Sequence, residues 1–398
     1  MKWTNKGHEL DDLGEVYSQV ENLYIWGVSE LAKKCYEFLL YLNLADKFNI
    51  VFLDKSTKKQ SELFCGKTVL PPQALLESAR QNVKNKAIVL AFPNGQDEVR
   101  ELLNRHGIVN VFSALQQHNR NDNFIQNFLC IWAMYKHGIL ISHWTSYCLT
   151  TRCNLNCKGC LNFTPYINNP WDETFDEFKQ HIDIVFSKFD YLYSLHFTGG
   201  EPLLHKNLPR FLNYISENYR ERVFEFFLIT NGSIVPCLSV MEALKQAKCS
   251  VWLDDYSQNV SLCASNIELV KRAFGDADIP VTIIRVDSWY DFEIDATNNS
   301  SMSEEEIINH KDQCNRFLHD FYDGKIYGCC YHKFAQKAGI IAETDNDYID
   351  IASSSKMEIL EFRQGFTNKG YVDFCRRCRG FGNNTKSIPC AIQIPKYR

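Results

Sequence analysis

The sequence predicts an α/β protein built on a partial parallel (β/α) barrel, with a small α/β domain before it and a small metal-binding module after it. Three observations predict this. Short apolar runs alternate with helical patterns over residues 1–115 and again over 146–300, the rhythm of parallel sheets with crossover helices. In the second stretch, polar and charged residues collect just after each apolar run, where a barrel keeps its active site. Cysteines fall in two spaced groups, one at 153–160 and one spread over Cys314, Cys329-Cys330 and Cys375-x-x-Cys378.

At 398 residues the chain should hold two or three domains. Its content of 45% hydrophobic and 13% aromatic residues is enough to bury cores. A formal charge of −5 leaves no basic footprint, so nucleic acid is not an expected partner. No apolar run approaches the roughly 20 residues of a membrane span, and Met1 to Lys6 lacks the apolar core of a signal peptide. The 16 cysteines then point to metal binding in a reducing compartment, and the expected location is cytoplasmic.

In the first domain, residues 1–115, Asn22 to Trp26 is a short apolar run that stops at Gly27, as a buried strand does. Leu31, Cys35, Phe38, Leu39 and Leu42 then share one helical face. Ile50 to Leu53, closed by Asp54, and Ala87 to Phe92, closed by Pro93-Asn94-Gly95, are further strands. A helix from Gln96 to about His106 and the strand Val109 to Phe112 complete the alternation. Gly27, Ser29 and Ala32 stand where a dinucleotide fingerprint has three glycines, and Asp54 stands where an acidic residue takes a ribose hydroxyl. These features resemble the small Rossmann-type modules that precede some sugar-modifying enzymes. The resemblance implies a nucleotide or substrate-carrier pocket at Gly27, Ser29 and Asp54, or a degenerate docking domain, since two glycines are replaced. Ser29 is equally readable as a helix N-cap. Residues 116–145 read as a polar stretch and then a linker helix, with Phe128, Ile131, Trp132 and Tyr135 as core positions.

In the barrel, residues 146–300, Ser146 to Thr151 reads as a strand leading into Cys153-Asn154-Leu155-Asn156-Cys157-Lys158-Gly159-Cys160. Thiols at this spacing can bind three irons of one cube and leave the fourth open to a ligand that is not protein, whereas most clusters take four thiolates. Alone, the triplet would also suit a zinc knuckle or three unconnected thiols. A helix follows with a capping box, Thr174 and Glu177. The strand Leu192 to Thr198 ends in Gly199-Gly200-Glu201-Pro202, whose glycines let backbone approach a ligand. Phe224 to Thr230 ends in Asn231-Gly232, and Ser250 to Leu253 leads to Asp254 and Asp255. The fifth strand, Val281 to Val286, carries Arg285 and Asp287 at its end. One of the two acids can take a ribose or substrate hydroxyl. Arg285 can pair with either acid or meet the substrate.

The triplet, the Gly-Gly-Glu-Pro turn and the Thr-Asn-Gly strand end, in this order, resemble the radical S-adenosylmethionine (SAM) superfamily over roughly residues 143–395. Leu161-Asn162-Phe163-Thr164-Pro165-Tyr166 resembles one branch of it, found among polysaccharide and secondary-metabolite genes. The resemblance implies a [4Fe-4S] cluster on Cys153, Cys157 and Cys160. It implies SAM on the open iron, held by Thr198, Gly199, Gly200, Glu201, Pro202, Asn231 and Gly232. The implied chemistry is reductive cleavage of SAM and abstraction of a hydrogen from an unactivated carbon by the 5′-deoxyadenosyl radical. Asp254, Asp255 and Arg285 are the candidate catalytic residues, and a reductase such as a flavodoxin or ferredoxin is the implied electron donor.

The last part, residues 301–398, contains Cys314, a turn and strand of a hairpin from Gly324 to Cys330, and Cys375-Arg376-Arg377-Cys378. One thiol from each of the first two places and two from the last make four ligands. Four thiolates suit structural zinc and a closed cluster alike. The set resembles the shortened twitch or SPASM-like auxiliary domain that follows many radical SAM cores. That implies a second [4Fe-4S] cluster, and the Tyr-x-Cys spacing favours Cys329 over Cys330. By the resemblance, the first expectation is an enzyme that epimerises or dehydrogenates a sugar or other small molecule, nucleotide- or carrier-linked. A peptide-maturing enzyme is one alternative, although no winged-helix peptide clasp is visible. A non-catalytic metal-binding or assembly protein is another, against which the intact glycine pair and Asn231 weigh.

Overall fold

The computed structural model describes residues 4–5, 9–78, 83–115, 122–294, 296–314, 320–343, 347–367, 369–382 and 385–395. The chain divides into two compact units, residues 7–143 and residues 144–398 joined by the first six.

In the first unit five parallel strands lie in the spatial order Lys67–Leu70, Asn49–Leu53, Asn22–Trp26, Lys86–Leu90 and Val111–Ser113. Counted along the chain this is 3-2-1-4-5, the order of doubly wound open sheets. Leu63–Phe64 pairs antiparallel at one edge. Lys86–Leu90 is buried along its whole length, which is why it reads as a continuous apolar run. Lys67–Leu70 escapes the sequence reading because only Val69 in it is buried. The expected linker helix is Cys130–His137, entered through a π-turn over Ile125–Leu129. It is not a free linker. The Trp132 ring lies 4.1 Å from Phe48, and its Nε1–H donates to Val20 O, so the helix belongs to this unit's core. The polar stretch 116–121 lies outside the described residues.

In the second unit five parallel strands lie side by side in chain order: Thr145–Cys148, Tyr191–Thr198, Val223–Thr230, Ser250–Asp254 and Val281–Ile284. Helices Phe175–Lys188, Leu208–Asn218, Leu238–Gln246 and Ser261–Asp276 connect them. The first helix starts as its capping box predicts, with Thr174 Oγ1 accepting from Glu177 N–H and the Glu177 carboxylate accepting from Thr174 N–H. Beyond Thr145–Cys148 the sheet continues with Asp320–Tyr322, parallel, then Lys325–Tyr327 and Tyr348–Asp350, antiparallel. The hairpin expected in a separate C-terminal module therefore extends the core sheet. Its turn has Asp323 and Gly324 both at positive φ, 52° and 69°, as a two-residue hairpin turn requires. Among the described residues no pairing joins the two outer strands, so the sheet is open rather than a closed barrel.

Strand alternation divides the side chains of this sheet. Ser146, His196, Phe227, Ile229, Trp252 and Asp254 share one face by register. The His196 ring, fully buried, lies 3.7 Å from Trp144 and 4.9 Å from Trp252. On the other face Phe197 packs against Phe178 of the first helix.

Candidate active site

The loop after Thr145–Cys148 is stitched to the end of the neighbouring strand. Leu149 N–H donates to Thr198 O at 2.9 Å, Gly200 N–H to Thr150 O at 2.7 Å and Glu201 N–H to Arg152 O at 2.7 Å. These bonds lay the glycine pair flat on the loop backbone. A Cβ on Gly199 would fall 2.4 Å from Thr150 O, and one on Gly200 would fall 2.0 Å from Arg152 O. Real atoms do not approach so closely. The close approach expected toward a ligand is thus made first between two stretches of protein.

On this loop the three cysteines converge. Cys157 is buried, Cys153 and Cys160 are half-buried, and all three pack into one apolar cluster with Leu155, Val260, Cys263 and Tyr256. Burial, and then the neighbouring Cys160, pushes the Cys153 thiol up to about 12 and raises Cys157 strongly. Such thiols ionise readily only against a cation. Polar groups already face the sulfurs. Leu155 N–H donates to Cys153 Sγ at 3.4 Å, Gln393 Nε2 donates to Cys157 Sγ at 3.2 Å, and Cys160 Sγ lies 3.4 Å from Thr164 Oγ1. Among the described residues no three His, Cys, Asp or Glu side chains are placed to hold a single metal ion, so the fit to three corners of a larger iron–sulfur cube rests on the chemistry of three clustered thiols with supporting donors.

Gln393 is a residue the sequence reading missed. Its segment runs along the cysteine loop, with Lys158 N–H donating to Ile392 O and Ile394 N–H to Asn156 O. Gln393 Oε1 also accepts from Asn156 N–H at 2.8 Å. No spacing or composition signal marks a partner 236 residues away.

Glu201 and Asn231 tie the next strand ends to the loop. The Glu201 carboxylate, fully buried, accepts from Leu203 N–H, Thr230 Oγ1–H and Asn231 N–H. Burial pushes its carboxyl up to about 7 in spite of those bonds. It acts as a clamp beneath the loops. Asn231 Nδ2 reaches Asn154 Oδ1 at 3.2 Å and lies 3.8 Å from Cys153 Sγ. Gly232 turns the chain at φ +68°, and Pro202 opens a short 3₁₀ turn. Thr198 stands half-buried beside Cys148.

The three candidate catalytic residues separate. Asp254 lies on the face of the sheet shared with Trp252 and accepts from Tyr256 O–H at 3.0 Å. Burial pushes its carboxyl up to about 6. Tyr256 belongs to the cysteine cluster, so Asp254 stands beside it. Asp255 points the other way. It accepts from Arg285 Nε at 2.9 Å and from Ser257 N–H, with Lys271 of the outer helix 3.9 Å away. Burial raises this carboxyl, but Ser257 and Arg285 outweigh that and hold it below its ordinary range. Of the partners the sequence offered it, Arg285 takes Asp255, while Asp254 stands with the cysteines through Tyr256.

Residues 147–257 match the Radical SAM superfamily. The radical SAM match opens in the strand before the cysteine loop and closes just past Asp254. The chain is 31% identical over 105 residues to a GTP 3',8-cyclase of Syntrophomonas wolfei, covering 25% of this chain and 29% of that protein. It is 31% identical over 87 residues to an S-adenosylmethionine-dependent nucleotide dehydratase of Selenomonas ruminantium, covering 22% and 29%. The chain thus spans under a third of the length of these relatives. Against the solved structure of BtrN in complex with AdoMet and 2-DOIA it is 17% identical with a TM-score of 0.38, covering 61% of this chain and 94% of that one. Among the described residues no helix is long and apolar enough to cross a membrane.

Of the later cysteines, Cys329, Cys330, Cys375 and Cys378 border one core. Cys375 and Cys378 are each 7% exposed and share a core cluster with Cys330, Ile307 and Phe374, with Cys329 packed against it. Cys375 and Cys378 both feel Cys314 and Cys329 electrostatically. The thiol of Cys329 is lowered to about 6, first by a hydrogen bond from Cys330, while burial opposes and the Lys311 ammonium assists. Cys330 lies in the cluster with Cys375 and Cys378 and Cys329 packs against it, so both neighbours border the same core, and strand alternation does not separate them. The strand ends at Tyr327, and both cysteines lie in the turn before the helix His332–Lys337. Asn299, another missed residue, brackets the Cys-x-x-Cys turn, with Nδ2 donating to Cys375 O at 2.9 Å and to Cys378 O at 3.0 Å.

In the first unit the loop groups satisfy one another. Gly27 N–H donates to Leu53 O, and Ser29 is the N-cap of Glu30–Tyr41, accepting from Ala32 N–H while donating to Ala91 O. The Asp54 carboxylate accepts from Val28 N–H, Ser56 N–H and Lys59 Nζ. Burial raises that carboxyl, and the bonds from Ser56, Val28 and Lys59 bring it below its ordinary value.

Proposed function

We propose that this chain is a radical SAM enzyme that removes a hydrogen from an unactivated carbon of a small molecule, most simply a sugar or a carrier-linked compound, and dehydrogenates or epimerises it. The observation that carries this is the cysteine triplet gathered in one apolar pocket and bonded by backbone to the ends of successive strands. When bound, the [4Fe-4S] cluster and SAM supply the 5′-deoxyadenosyl radical. The chain's own residues hold, orient and dry the site. Cys153, Cys157 and Cys160 would be the cluster ligands. Gly199, Gly200 and Asn231 keep the loop in register over Thr198, and Glu201 and Gly232 support them from below. Asp254, oriented by Tyr256 and raised toward neutrality, is the group we assign to a substrate or ribose hydroxyl. Trp252, Phe227 and His196 on the same face offer an apolar wall that excludes water.

The four later cysteines are proposed to hold a second [4Fe-4S] cluster on Cys314, Cys329, Cys375 and Cys378. A flavodoxin- or ferredoxin-type reductase would supply electrons. The first unit is best supported as a docking or structural unit, since Ser29 and Asp54 are already committed to the loop around Gly27.

The test is anaerobic reconstitution with dithionite and SAM, reading release of 5′-deoxyadenosine. The protein should hold about eight irons and release the nucleoside slowly without substrate. Cys157→Ala should abolish that release, and release that survives in this variant would refute the assignment of the triplet.

A further inference from the structure

The helix Glu304–Asp312 carries a lysine into the pocket of the later cysteines. Ile307 and Lys311, four residues apart, share one helix face. Ile307 is fully buried among Cys330, Cys375 and Cys378, and Lys311 is only 2% exposed. The helix is anchored on the same pocket at two more points. His310 Nε2 lies 3.0 Å from Cys378 O, and Cys314 N–H donates to Lys311 O at 3.0 Å. Burial disfavours the charged form of Lys311, and the nearby Cys314, Cys329, Cys375 and Cys330 together outweigh it and raise the ammonium above its ordinary value. Burying a lysine this far is rare unless an anionic group faces it. Four thiolates around a metal are such a group, and a cluster gains further negative charge when reduced.

We infer that Lys311 is the counter-charge of the auxiliary centre, a positioning residue that stabilises its reduced form and so raises its reduction potential. This rests on the reading of Cys314, Cys329, Cys375 and Cys378 as ligands of a [4Fe-4S] cluster. A fixed positive charge in a dry pocket acts at short range with little screening, and it favours whichever redox state is more negative. A raised potential suits a centre that accepts an electron. The proposal therefore favours dehydrogenation over epimerisation as the outcome of the reaction.

The experiment is a redox titration of the reconstituted full chain followed by electron paramagnetic resonance, with iron and zinc measured on the same samples. It compares the parent protein with Lys311→Met and Lys311→Arg. In Lys311→Met, the cluster whose signal does not respond to SAM should show a reduced-to-oxidised ratio about tenfold lower at a fixed potential, or about 59 mV for a one-electron couple. The SAM-responsive cluster should be unmoved, and Lys311→Arg should restore the parent value. Both clusters retained at parent potentials in Lys311→Met would overturn the inference. Loss of the second cluster from Lys311→Met but not from Lys311→Arg would support it, because charge is then what the site needs. Loss from both would overturn it, because shape is then what Lys311 supplies. About four irons and one zinc in the parent protein would overturn the second-cluster reading, and the inference about potential with it.

Discussion

Replacing Gly200 by alanine separates the two reasons a glycine pair can be needed at this place. If the pair served only SAM, a methyl group there would weaken SAM binding and leave the empty-handed protein unaltered. The structure predicts otherwise. The added Cβ would sit 2.0 Å from Arg152 O, the atom that also accepts from Glu201 N–H at 2.7 Å. The loop has to move away, and with it go the Gly200–Thr150 and Glu201–Arg152 hydrogen bonds. Two such bonds are worth about 1–3 kcal/mol together, and overpacking a tight contact costs about 1–3 kcal/mol more. The sum is roughly 2–6 kcal/mol, which at about 2–4 °C per kcal/mol lowers the melting temperature of the second unit by roughly 4 °C or more. Cys153 is the residue next to Arg152, so the cluster site is distorted as well. Calorimetry and iron analysis, both without SAM, should show earlier melting and about half of the iron lost. Full iron loading with unchanged melting and a defect confined to SAM binding would refute this reasoning.

Two further outcomes follow from named contacts. Asp254 ionises only above about 6 because it is buried, so substrate turnover should climb between about pH 5 and pH 7 as its carboxylate forms. Asp254→Asn should lower kcat/KM by roughly 2- to 13-fold, the worth of one hydrogen bond of about 0.5–1.5 kcal/mol, and should flatten the profile. An unchanged profile in that variant would remove Asp254 from the site. Asp54→Ala should lower the stability of the first unit by about 1–3 kcal/mol through its bonds to Val28 N–H and Ser56 N–H, the half-exposed Lys59 pair adding little. An elevated KM for substrate with unaltered melting would instead show a ligand pocket at Asp54.

The sequence by itself determined the buried strands and the helix starts, and it marked where the spaced cysteines lie in the chain. Buried strands such as Lys86–Leu90 and Tyr191–Thr198 read as apolar runs because both of their faces are covered. The capping box at Thr174 and the cysteine triplet are local patterns whose meaning lies within a few residues. Signals of that range survive in one dimension. The tertiary structure alone decided which side chain faces which. Neighbouring Asp254 and Asp255 look alike in sequence, yet strand alternation sends one toward the cysteines and the other to Arg285. The Gly324 hairpin joined the main sheet because an unpaired edge beside Thr145–Cys148 was there to take it. Gln393 on Cys157, Asn299 on the Cys-x-x-Cys turn and Lys311 among four thiols carry no local signature at all. Their partners come from distant parts of the chain, and a contact whose two halves lie so far apart exists only once the chain has folded.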